Sequence, residues 1–211
     1  MSSYYFFFFI DTPNHDRNKG IIMCRKLEQL SRLKIDDLYD MLEEEFVKPP
    51  VNIHRILDQL GIEYNALDFG LVNAEINGIN LPQQAEMVMG AVAAHSKKAS
   101  GKDWVEITVN IKDNYHRQRF TLAHELAHCM LHADSLKNGR LELRTSLTTD
   151  DPREKEANIL AGEILIPEKL LKRVYAKMPL PISAILANIF DVSENVMVAR
   201  LQYLRMGYYT I

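Results

Sequence analysis

The sequence predicts an α+β fold: a small mixed or antiparallel sheet packed on two helices, with a helical appendage towards the C-terminal end. Three observations carry this. Trp104 to Ile111 alternates, with Val105, Ile107, Val109 and Ile111 on one side, the period of a half-buried strand. Residues 115 to 133 hold no Pro or Gly, and Phe120, Ala123, Ala127 and Leu131 recur at spacings of three and four, the period of a helix. A second helical run follows Asp150-Asp151-Pro152 and places Ala157, Ala161 and Ile164 on one side.

Taken in order, Tyr4 to Ile10 is an apolar run of seven residues. It is too short to span a bilayer and lacks the flanks of a signal peptide, so it reads as a buried strand or an aromatic plug against the domain. Asp11 to Gly20 is a loop. Ile21 to about Lys34 is helical, with Cys24, Leu27 and Leu30 in register. Ile35 to Val47 is a second helix, with Leu38, Leu42 and Phe46 on its stripe and Glu43-Glu44-Glu45 as its solvated face; Pro49-Pro50 stops it. Asn52 caps a short helix that Gly61 ends, and Ile62 to Leu67 is a strand. Residues 68 to 83 are a loop with room for one strand. Glu86 to His95 fits helix or strand by itself; the alternating segment 104–111 and the turn-like Ser96 to Lys102 favour a hairpin, with Lys97, Lys98 and Lys102 as solvated charge at its tip.

The strand 104–111 ends close to the next helix, which Asn114 or Asp113 caps; an edge strand there could pair with a substrate backbone. Residues 134 to 151 are polar and read as a loop. After Pro167 a helix runs to about Lys177, and Pro179 and Pro181 break it. Ile182 to Phe190 and Ser193 to Met206 form two short helices joined at Asp191-Val192. Their spacing is that of a helix-turn-helix. The second offers only Arg200 and Arg205 as cations, among Val196, Ala199, Leu201 and Leu204. The pair therefore reads as a packing or partner-binding appendage rather than a DNA reader. The expected organisation is an N-terminal extension (1–48), a central domain (49–178) and a C-terminal helical pair (179–211).

The chemistry lies in the two central helices. His124-Glu125-Leu-Ala-His128 is H-E-x-x-H, which puts two imidazoles one turn apart on one helix face, where both reach a single metal ion. Imidazole nitrogen suits zinc, which in catalytic sites takes three protein ligands and keeps a position for water. Glu125 projects beside that position as a general base for the water. The third ligand is sought in the helix after Pro152. Glu154 shares the small and apolar face of Ala157, Ala161 and Ile164; Glu156 shares a more polar side with Leu160 and Glu163. Glu154 is thus the inward carboxylate, with Glu156 as its substitute, and Asn158 one turn on could steady a ligand histidine. His132 is two turns from His124, about 12 Å along the axis, too far to join both histidines on one ion. It reads as a core or hydrogen-bonding residue. His95, Tyr115 and His116 are candidates to steady an oxyanion, and spacing selects none of them.

The run R-F-T-L-A-H-E-L-A-H-x-x-L-H, followed by E-x-E-A-N-x-L-A-x-E-I-L-I-P, resembles the ImmA/IrrE family of zinc metallopeptidase-like proteins over most of residues 50 to 170. Ala127 stands where that pattern often has Gly. The resemblance implies a minimal gluzincin-type fold with His124, His128 and a glutamate as metal ligands and Glu125 as general base. It also implies a protein substrate, often a repressor that silences a mobile element or another transcriptional regulator, while some members serve as antitoxins or regulators.

Composition bounds the rest. The chain has 211 residues, is 47% hydrophobic and 25% charged, and suits a soluble globular protein of one domain or one plus an appendage. A formal net charge of −3 argues against nucleic acid as the main partner. Cys24 and Cys129 form no C-x-x-C pair, which fits a reducing, cytoplasmic setting without a cysteine metal site. No membrane contact is expected, and the oligomeric state is not encoded in any feature noted above. The leading expectation is a zinc endopeptidase that cleaves a regulatory protein; the alternative is a non-catalytic zinc-fold binding module.

Overall fold

The computed structural model describes residues 25–42, 48–71, 75–76, 79–80, 88–96, 103–134, 136, 142–145 and 151–210. The Tyr4–Ile10 run, the loop 11–20, Cys24, the acidic run 43–45, the lysines 97, 98 and 102 and most of the loop 134–151 lie outside these residues. The chain opens with helices α1 (Arg25–Ser31), α2 (Ile35–Met41) and α3 (Ile53–Leu60). Asn52 caps α3 by accepting a bond from the Arg55 N–H, and Gly61 ends it at φ +62°, a left-handed turn that glycine adopts without strain.

Strand β1 (Glu63–Leu67) follows, then two short paired strands, β2 (Glu75–Ile76) and β3 (Ile79–Asn80). Strands β4 (Val88–Ser96) and β5 (Asp103–Asn110) form the expected antiparallel hairpin. The long helix α4 (Tyr115–Leu131) comes next, then β6 (Glu142–Thr145) and helices α5 (Pro152–Leu165), α6 (Glu168–Tyr175), α7 (Ser183–Phe190) and α8 (Glu194–Tyr203). The main sheet has the order β1-β5-β4-β6, with β1 parallel to β5 and the other pairs antiparallel, so it is mixed.

Two expectations are corrected here. The strand after residue 103 is not an edge: β1 and β4 flank it, so it has no free side for a substrate backbone. Val105, Ile107 and Val109 face the core as the alternation required, but Thr108 and Asn110 on the other face are buried as well, while Ile111 lies beyond the strand and is exposed. Alternation reports which face is apolar and says nothing about neighbours on either side. The second correction is β6. Residues 142–145 lie in a stretch expected to be loop, and they pair with β4 to form one edge of the sheet. The period is short and sparse in apolar residues: Leu141, Leu143 and Leu147 alternate with Glu142, Arg144 and Ser146 inside a stretch that is polar as a whole, and the pairing with β4 is what makes it a strand.

One apolar cluster runs through all layers. It joins Leu27, Leu30, Leu38 and Leu42 of the N-terminal helices, the inward face of β5, the buried face of α4, and Leu186, Phe190, Met197 and Leu201 of the C-terminal pair. The pair is thus docked on the core. Arg200, one of the two cations considered for a DNA reader, is buried and ion-paired with Glu163 of α5, and its Nε donates to the Ile166 carbonyl at 3.1 Å. Tyr39 of α2 also donates to Glu163, at 2.5 Å, and burial pushes its hydroxyl well above its ordinary pKa, so it stays a donor. Three distant segments thereby share one carboxylate. Arg200→Ala removes the cation paired with that carboxylate, leaving it the Tyr39 hydroxyl, and removes the bond to Ile166. It is expected to cost about 3 kcal/mol, the low end for a broken buried pair because the Glu163 side chain is 20% exposed. A urea melt checks this.

Candidate metal centre

Helix α4 begins where Asn114 takes extended backbone and accepts a bond from the Arg117 N–H at 3.0 Å. From Arg119 to Met130 every residue but the half-buried Phe120 is buried. The stripe read from the sequence is therefore too narrow. The helix is buried because β4, β5, α1 and α5 cover it nearly all round, whereas Leu131, a member of that stripe, is exposed at its end. Arg119 is held inside by the Val51 carbonyl (3.0 Å) and by Asp191 (3.3 Å).

Helix α5 begins at Asp151, whose side chain accepts from the Arg153 N–H at 2.9 Å, with Pro152 at the first helical position. It lies against α4 through small residues: Ala157 and Ala161 are buried on one side, Ala123 and Ala127 on the other. Small side chains allow the close approach that brings polar groups of the two helices together.

Three donor residues converge there. His124 Nε2 and His128 Nε2 are 3.0 Å apart; Glu154 Oε2 is 3.0 Å from the first, and Glu154 Oε1 is 3.4 Å from the second. All three residues are buried, and they form a cluster able to hold a metal ion. A divalent ion bound tetrahedrally at roughly 2.0–2.1 Å from each donor needs donors about 3.3 Å apart, and the observed separations of 3.0 to 3.4 Å lie within about 0.3 Å of that value. Donors aimed at one another inside a protein also require a cation or protons between them, since buried lone pairs without a partner are costly. The residues present therefore fit a metal ion.

The other residues singled out in the sequence divide clearly. Glu125 is fully buried in the same helix. Glu156 is not with the donors: its carboxylate is 62% exposed and stands 3.5 Å from His132. Asn158 is exposed and lines a groove with Phe120, Ile159 and Tyr203, so it does not support a histidine. His116 pairs with Asp191 at 3.2 Å, and Tyr115 is 56% exposed beside it. Both sit two turns or more before His124, about 12 Å away along the helix, which removes them as oxyanion partners there. The side chain of His95 lies outside the description. His132 reaches the Arg153 carbonyl at 3.2 Å.

Sequence reasoning missed Asp191, which takes a left-handed conformation at the end of α7 and links both His116 and Arg119 of α4 to the C-terminal pair. Its place between two helices was visible, and a left-handed Asp at a helix end is a known preference. Its partners about 70 residues earlier leave no local trace. No helix among the described residues is long and apolar enough to cross a membrane.

A family model described as Peptidase_M78, IrrE N-terminal-like domain, matches residues 94–202, more than half of the chain. The match takes in α4, α5 and nearly all of the C-terminal pair. No curated protein matches significantly.

Proposed function

This chain belongs to the family of IrrE N-terminal-like peptidase domains, and from that premise we propose that it is a zinc-dependent endopeptidase acting on a regulatory protein, such as a repressor that keeps a mobile element silent. The observation that carries this reading is the convergence of His124, His128 and Glu154 on one buried point, with Glu125 in the same helix. Two imidazoles and one carboxylate are a donor set suited to zinc, and three protein ligands leave a position for water or substrate. When bound, zinc supplies Lewis-acid chemistry: it polarises a carbonyl and lowers the pKa of water to about 7.

The chain's own residues do the remainder. His124, His128 and Glu154 hold the ion, and the α4–α5 contact keeps them in register. Glu125 takes a proton from the attacking water and later passes it to the leaving amine nitrogen. Residues 49–178 form the working unit in this reading, between the extension 1–48 and the helical pair 179–211. A reducing, cytoplasmic setting is part of this reading, and a chain with two cysteines and no C-x-x-C pair suits it.

The test is direct. Zinc-loaded protein is mixed with a candidate repressor and the products are weighed by intact mass spectrometry. Two fragments summing to the substrate plus one water are expected, and excess chelator should suppress them. A partner that binds but stays whole under every condition would favour a non-catalytic zinc-fold binding module instead.

A further inference from the structure

We infer that His132 is a positioning residue: it fastens the first turn of α5, and with it Glu154, to the end of the helix that carries His124 and His128. The inference rests on the metal-centre reading above. His132 caps the C-terminal end of α4, just past Leu131: its own N–H still bonds to the His128 carbonyl at 2.8 Å, but its backbone has left the helix. Its ring stands 5.3 Å from that of His128. Its Nε2 lies 3.2 Å from the carbonyl oxygen of Arg153 and 3.5 Å from Glu156 Oε2. Both neighbours are acceptors, so Nε2 carries the hydrogen and donates.

The position of that bond gives it leverage. The Arg153 carbonyl belongs to the peptide unit that ends at Glu154. Asp151 holds the same turn from the other side by accepting the Arg153 N–H and pairing with its guanidinium. The donor atoms come from two separate helices, and a slide of one along the other would separate them. A working site needs its groups held to within about 0.5 Å. His132 ties the two helices together at the end where a slide would do most harm, while its ring backs His128. Glu156, a residue weighed as a ligand, stands beside this tie instead.

Two substitutions separate the donor from the ring. His132→Phe keeps a ring against His128 and removes the donor. His132→Gln keeps a donor, because its amide nitrogen reaches about as far as Nε2. Zinc affinity is measured by competition with a chromophoric chelator, and the visible absorption of cobalt-loaded protein reports donor geometry. His132→Phe is expected to weaken zinc binding about 10- to 100-fold and to shift the cobalt bands, with His132→Gln regaining most of both. Far-UV circular dichroism of the metal-free proteins identifies a folding defect, and His132→Leu replaces the phenylalanine variant if that one does not fold. Unchanged zinc affinity and cobalt spectrum in the variant without a donor would overturn the inference, as would a glutamine variant no better than phenylalanine. If the unsubstituted protein itself bound no zinc, the metal-centre reading would fail, and this inference with it.

Discussion

Replacing Glu125 with glutamine is expected to slow cleavage of the protein substrate about 10²- to 10⁴-fold while leaving the metal in place. Glutamine has nearly the volume of glutamate, and Glu125 is fully buried, so a substitution of equal size avoids opening a cavity. Glu125 is not among the three converging donors, so their spacing should survive. What is lost is the carboxylate that accepts the water's proton. Single-turnover cleavage followed by gel, with metal content measured on the same sample, checks both halves. Full cleavage with full metal content would remove Glu125 from the mechanism. Loss of metal along with activity would mean that it supports the site rather than the chemistry.

The second large effect separates two carboxylates two residues apart. Glu154→Gln is expected to abolish the stabilisation that zinc confers, whereas Glu156→Gln should keep it. A ligand that binds only the folded state at a thousand times its dissociation constant adds about 4 kcal/mol, which a thermal melt reads easily. Glu154 is buried with its oxygens 3.0 and 3.4 Å from the two imidazole nitrogens. A neutral amide there is a weak ligand and places a donor where the histidines need an acceptor or an ion. The Glu156 carboxylate is mostly exposed, and exposed substitutions usually stay within about 0.5 kcal/mol. A zinc-dependent melting shift that vanished in Glu156→Gln and persisted in Glu154→Gln would reverse the assignment.

The contrast between these glutamates shows what could be read locally. Which face of residues 152–165 turns towards α4 follows from Ala157, Ala161 and Ile164, because on a helix a side chain's direction is set by its position alone. The same rule aligned His124 with His128. The cap at Asn52 was legible for a related reason, and those at Asn114 and Asp151 as one of two adjacent candidates each: every one bonds a backbone N–H only two or three residues ahead. Where the signal needed a distant partner, it failed. The stripe through Leu131 was too narrow because helices and strands from elsewhere cover most of α4. The alternation of Leu141, Leu143 and Leu147 is too short to mark a strand without its partner β4, and β5 showed its apolar face without showing that it lies between two strands.

The amino-acid sequence by itself determined the helices, the hairpin, the caps and the identity of the residues that project from each helix face. These depend on geometry repeated within one or two turns of the chain. Only the tertiary structure decided that the helices bearing the histidines and Glu154 approach until their donors are 3.0–3.4 Å apart. It alone drew Tyr39, Glu163 and Arg200 together, and it alone put Asp191 against α4. The reason is that contacts between remote segments are selected by how whole surfaces fit, and many surfaces are compatible with the same local pattern.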